Sequence, residues 1–104
     1  MVGITEGAAE QRDNFLRYYK KFDRPQAGQR FLKSIRDAVS SIQQNPTSGR
    51  THPNPYPEVE AYGYLWIKVH IYWISWRIID GIPVITNVLW DRADIPNVTI
   101  TDDI

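Results

Sequence analysis

Tyr72-Trp73-Ile74-Ser75-Trp76-Arg77-Ile78-Ile79-Asp80-Gly81-Ile82-Pro83-Val84-Ile85-Thr86-Asn87-Val88-Leu89-Trp90 reads as two strands joined by a tight turn. Successive side chains of a strand point to opposite faces. Ile74, Trp76 and Ile78 therefore share one face, and Trp73, Ser75, Arg77 and Ile79 share the other. Asp80-Gly81 supplies two residues that tolerate positive φ, as a two-residue hairpin requires. Residues 84–90 form the returning strand. Upstream, Leu65, Ile67 and Val69 alternate with Trp66, Lys68 and His70, which adds a third strand. The turn between it and Tyr72 contains neither Gly nor Pro and is placed at residues 70–71. A further short strand at residues 2–5 is weakly signalled.

The half of the chain before these strands has a different periodicity. Residues 6–22 place Ala8, Phe15, Tyr18, Tyr19 and Phe22 on one face of a helix. Asp23 then reads as an N-cap, with Gln26 three residues on completing a capping box. Pro25 suits a first turn, where the N–H groups have no helical partner. Ala27, Phe31, Ile35, Ala38, Val39 and Ile42 form the stripe of a second helix. Asn45-Pro46 ends it. So short a connection makes the two helices an antiparallel hairpin. Residues 51–57 contain three prolines and read as loop. Helices followed by strands give an α+β class: an N-terminal α-helical hairpin packed on a small antiparallel β-sheet. The expected organisation is one domain over residues 1–104. It comprises a short strand and first helix (1–22), a second helix (23–45), a β-meander (62–95) and a tail (96–104).

Composition narrows the function. The 104 residues carry 12 Lys plus Arg against 12 Asp plus Glu, a formal net charge of zero. Proteins that grip nucleic acid by its phosphates carry a basic excess. No direct sequence-specific nucleic-acid binding is expected. The sign does vary locally: residues 17–36 are basic and the end of the tail, Thr101-Asp102-Asp103-Ile104, is acidic. Cysteine is absent, which excludes disulfides and thiolate metal sites. No apolar run approaches the ~18 residues of a membrane span, and the first residues lack the apolar core of a secretory signal. A soluble, cytoplasmic protein is expected. The two histidines, His52 and His70, fall on different elements. No metal site and no cofactor are expected.

Four stretches resemble the RelE/ParE toxin superfamily of type II toxin–antitoxin systems. Pro25-Gln26-Ala27-Gly28-Gln29-Arg30-Phe31 resembles the start of the family's second helix. Asn45-Pro46-Thr47-Ser48-Gly49-Arg50 resembles its helix-ending Pro-x-x-Gly-Arg segment. Tyr72-Trp73-Ile74-Ser75-Trp76-Arg77-Ile78 resembles its Tyr-x-Ile-x-Tyr-Arg-Val strand. Val88-Leu89-Trp90-Asp91-Arg92-Ala93-Asp94-Ile95 resembles its closing Val-Leu-His-x-Arg-Arg-Asp-Ile. The departures bear on the branch. Trp90 stands where the family often has His, and Ala93 where it has a second Arg. Trp73 replaces an Arg of the RNA-cutting members. No Tyr follows Tyr72, although RNA-cutting members often place a Tyr near the C-terminus.

The resemblance implies a toxin whose cognate antitoxin is a protein partner, and the departures favour the ParE-like branch, with DNA gyrase as target. Such a toxin acts by stoichiometric binding, without catalysis of its own. The first rival is a ribosome-dependent mRNA endoribonuclease. That chemistry needs a base for the 2′-hydroxyl, an acid for the leaving oxygen and cations for the phosphorane charge. Its candidates would be His70, Arg77 and Arg92, with Lys68 as a further cation. The second rival is a degenerate toxin that only binds its antitoxin. Lys68, Trp73, Arg77, Trp90 and Arg92 are the expected target-binding residues. Phe15, Tyr18, Tyr19 and Trp66 are the expected antitoxin-binding residues. Trp76 is assigned to the core. Arg92 and Asp94 are expected to pair locally, and deletion of residues 93–104 to leave most of the fold intact.

Overall fold

The computed structural model describes residues 1–101. Asp102 and Asp103, the acidic end of the tail, lie outside the described residues. The elements run β1 (Gly3–Ile4), α1 (Glu6–Lys21), α2 (Pro25–Gln44), a 3-10 turn (Pro57–Tyr62), β2 (Leu65–Val69), β3 (Tyr72–Ile79), β4 (Ile82–Trp90) and α3 (Ile95–Val98). The sheet order is β1-β4-β3-β2. The β2–β3–β4 meander is antiparallel, and the two-residue β1 adds one parallel pairing on β4. The α+β class holds. The last strand begins two residues earlier than its sequence pattern indicated, because Ile82 and Pro83 already pair with Ile79 and Ile78.

Both hairpin turns use left-handed backbone. Asp80 and Gly81 have φ of 52° and 78°, the geometry that a two-residue turn demands. His70 has φ 57° at the β2–β3 turn, which sits at residues 70–71 as expected. The α1–α2 connection departs from expectation. Thr5 caps α1, its hydroxyl accepting from the Ala8 N–H at 3.1 Å. Asp23, by contrast, does not cap α2. It takes φ 52° to reverse the chain, and Arg24 occupies the N-cap without a side-chain cap hydrogen bond. The Arg24 N–H instead closes on the Tyr19 carbonyl at 2.7 Å. In so short a connection, the residue that could have capped is used to turn.

One face of the sheet lies against the helical hairpin. Ala8, Phe31, Ala38 and Ile42 from the helices meet Tyr72, Ile74, Trp76, Ile85 and Val88 from the strands. Trp76 is core, as expected, and its indole N–H donates to the Pro46 carbonyl at 2.8 Å. Gly49 is required beside it, since a Cβ there would lie 2.7 Å from Trp76 Cη2. Ile78 was expected inward with Ile74 and Trp76, but it is exposed, close to the Asp80-Gly81 turn. A bulge interrupts β4. Ser75 pairs with Asn87 and Trp76 with Ile85, so Thr86 is the extra residue. The bulge puts Ile85 and Val88 on one face although strict alternation would separate them.

The other face has its own core. Trp66, Trp73 and Leu89 pack with Val59 and Tyr64 from the 3-10 region and with Ile95 from α3. Residues 57–64 and the tail therefore cover a face that alternation alone leaves open.

Candidate functional site

The meander's register gathers several candidate residues at one end of the sheet. Val69, Tyr72 and Trp90 lie in one row across β2, β3 and β4. The residues just beyond that row, His70 and Asp91 among them, therefore share an end, and Arg92 follows. The Asp91 N–H donates to the Ile71 carbonyl at 2.8 Å and fixes this corner. Lys68 Nζ pairs with Asp91 Oδ2 at 3.3 Å. Trp90 remains 43% exposed, and His70 and Arg92 are exposed. Arg92 does not pair with Asp94, whose carboxylate accepts from Asn97 Nδ2 at 2.5 Å within α3. Arg77 pairs with Val84, five residues along β3 from the Tyr72 row, or about 16 Å at ~3.3 Å per residue. Its Nε is buried and has no partner among the described residues. Lys68, His70 and Arg92 thus lie towards one end of the sheet, and Arg77 towards the other.

Two expected partner-facing residues are corrected. Trp73 is 4% exposed and Trp66 is 1% exposed. Both are consumed by the second core, so neither presents surface to a target or an antitoxin. The alternation correctly put them on the face away from the helices. It could not reveal that residues 57–64 and α3 cover that face.

A second constellation lines a groove of about 930 Å³ between α1, the start of α2 and the C-terminal half of β4. Phe15 and Tyr19 form its inner wall. Phe15 stands edge-on to Tyr72, with ring centres 5.3 Å apart, and leans on Phe31 at 5.1 Å. The Tyr19 and Tyr72 hydroxyls hydrogen-bond to one another. Burial, then that hydrogen bond and the proximity of Tyr19, hold the Tyr72 phenol far above its ordinary pKa, with Arg30 opposing. Tyr72 is thus a neutral hydrogen-bonding group at any physiological pH and unsuited to act as a base. Tyr18 stands at the rim, 53% exposed and packed on Phe22 at 4.8 Å. Three of the four expected antitoxin contacts, Phe15, Tyr18 and Tyr19, therefore share this groove, and Trp66 does not. Arg24, Arg30 and Tyr72 line it too and were missed. Tyr72 was legible as the inward partner of Ile74 two positions earlier. The arginines carried no such signal, because their place depends on the tight turn at Asp23.

The family described as the ParE toxin of the type II toxin–antitoxin system, parDE, matches residues 2–94, which takes in every element from β1 to β4. The chain belongs to the ParE toxin family. It is accordingly the toxin component of a type II system, and the family implies an antitoxin partner. No curated protein matches the chain at significance. The ParE match stops just short of α3, so part of the cover over Trp66 and Trp73 lies outside the matched stretch. Among the described residues, no helix is long and apolar enough to cross a membrane.

Proposed function

We propose that this ParE-family toxin inhibits DNA gyrase by binding it in the cytoplasm, and that its cognate antitoxin neutralises it by occupying the groove beside α1. The carrying observation is the separation of Arg77 from the other residues that RNA cleavage would need, Lys68, His70 and Arg92, which lie towards the opposite end of the sheet. Lys68 is engaged by Asp91, and Arg77 lies about 16 Å along the sheet from the row beside which His70 sits. A transition state needs its base, acid and cations within hydrogen-bond reach of one phosphate. Binding makes no such demand. Trp90 and Arg92, exposed together at one corner, have the aromatic and guanidinium character of interface anchors.

The test is biochemical. Purified chain added to gyrase and supercoiled DNA should accumulate cleaved DNA–gyrase complexes, saturating near stoichiometric amounts. In a ribosome-containing translation extract, mRNA should stay intact over the same time. Codon-dependent mRNA cleavage without any gyrase effect would overturn the proposal and place the chain with the ribonucleases.

A further inference from the structure

We infer that the outer face of the α1–α2 hairpin, at its connected end, docks on the sugar-phosphate backbone of double-stranded DNA without regard to sequence. Under the gyrase reading above, this face would seat the toxin on the DNA that gyrase holds. The DNA contact itself does not depend on that reading and is tested without the enzyme.

A chain of zero net charge hides a strong local imbalance. Residues 17–36 hold seven of the 12 basic residues and one of the 12 acidic ones, Asp23. All seven are exposed. At about 100° per residue, Arg17 stands half a turn from the buried Ala8, with Lys20 and Lys21 flanking it. On α2, Lys33 and Arg36 likewise point away from the buried Phe31 and Ala38. Both helices bury their apolar sides on the same face of the sheet, so these five cations face solvent together. Among the described residues only Lys33 of the seven has an ion pair, with Asp37 at 3.0 Å. Glu6, Glu10 and Asp13 fall in the first half of α1, so positive charge concentrates towards the turn. The cationic area measures on the order of 10 Å each way. A duplex carries about one phosphate charge per ~1.7 Å of its axis, and so presents several across that width.

Helix stability accounts for only part of this charge. Lys20 and Lys21 complement the negative end of the α1 dipole. Arg24, at the N-cap of α2, stands at a positive end, and the first turn of α2 holds no acidic residue to offset it. Lys33 and Arg36 are mid-helix, beyond the reach of either terminus. The composition of the face then selects the partner. The centres of protein interfaces are depleted of charge, lysine especially, and carry aromatic anchors. Here Asn14, Gln29 and Ser40 share the outer face with the cations, while Tyr18 packs on Phe22 at the groove rim. Lysine and arginine on a polar ground suit phosphates. Single strands are held by stacking bases on aromatic rings, which favours the duplex.

The probe is a fluorescent mixed-sequence DNA duplex titrated with the full chain over a salt series, with binding read by anisotropy. Engaging about three to five phosphates gives a plot of log affinity against log salt with a slope of roughly −3 to −4. Lys20→Gln, Lys21→Gln and Arg36→Gln combined should flatten that slope by about 2–3 and weaken binding tenfold or more at low salt. All three positions are exposed, so thermal melts should match the wild type. Arg50→Gln, exposed at the edge of β2 and outside the hairpin, should leave the slope unchanged. An equal loss in Arg50→Gln, or none in the triple variant, overturns the assignment of the face. No binding at low salt, or tighter binding to single-stranded RNA of the same length, overturns DNA as the partner. Weaker binding of the triple variant to DNA-free gyrase, with duplex binding unchanged, would make the face a protein contact and overturn the inference as well. Duplex binding with this salt slope but no effect on gyrase supports the inference and removes the gyrase reading alone.

Discussion

Tyr72 shows how one side chain can serve a core and a surface together. Its ring is packed between Phe15 and Phe31, with centres 5.3 and 4.9 Å away, and its hydroxyl reaches Tyr19 at the wall of the groove. Burial and the Tyr19 hydroxyl hold its proton on well above the ordinary tyrosine range. A raised folded pKa means that the folded chain keeps a proton that the unfolded chain loses near pH 10. The stabilisation is complete below that pH and declines as pH rises through and beyond it, by up to about 1.4 kcal/mol per pH unit for one proton. Tyr72→Phe removes this dependence together with the hydroxyl pair. Denaturant melts of the wild type should therefore weaken steeply above about pH 10, and those of Tyr72→Phe less so. Equal slopes for the two proteins would show that Tyr72 ionises freely in the fold.

At the scale of elements, the strands and helices were legible because each buries one face of a regular period. The alternation through Ile74 and Trp76, and the stripe through Phe31, Ala38 and Ile42, mark the residues that meet in the first core. Three features were not legible, each for a physical reason. Asp23 could cap or turn, and the length of the connection decides between them. Thr86 is a bulge that resets the parity of β4, and no residue type announces it. Trp66 and Trp73 share a face, but what covers a face depends on distant segments. The tail is the clearest case. Ile95 is fully buried in the second core, and Asn87 holds the Ile100 backbone from both sides, accepting its N–H at 2.7 Å and donating to its carbonyl at 3.2 Å. The Tyr64 hydroxyl also donates to that carbonyl, at 3.0 Å. The tail is thus a structural cover, which corrects the expectation that residues 93–104 could be removed at little cost to the fold. Ending the chain after Arg92 should destabilise it by about 2–5 kcal/mol for the loss of Ile95 alone. It should also expose Trp66 and Trp73 as an apolar patch prone to association. Urea melts and light scattering check this. A truncated chain with an unchanged midpoint would show that the second core closes without the tail.

The whole molecule separates its two surfaces. The groove runs along α1 and ends at Arg24 and Arg30, while Lys68, Asp91 and Arg92 define a corner where the meander ends, with Trp90 bordering both. The function proposed for that corner makes a demand on mutant behaviour that differs from what catalysis would require. In a ribonuclease, losing one group that stabilises the transition state lowers the rate about a hundredfold or more while binding persists. In a binding poison, each contact supplies part of an affinity, and an aromatic anchor counts as much as a charge. Trp90→Ala and Arg92→Ala should each reduce toxicity partially, and the double variant further. His70→Ala should remain fully toxic, because His70 is an exposed turn residue whose left-handed φ is its structural contribution. Growth after induced expression, titrated by inducer dose, measures the grading, and thermal melts of each purified variant followed by circular dichroism confirm that it still folds. An all-or-none loss in His70→Ala or Arg77→Ala, accompanied by disappearance of mRNA cleavage, would mean that these residues converge on a phosphate after all and that the corner is a catalytic centre.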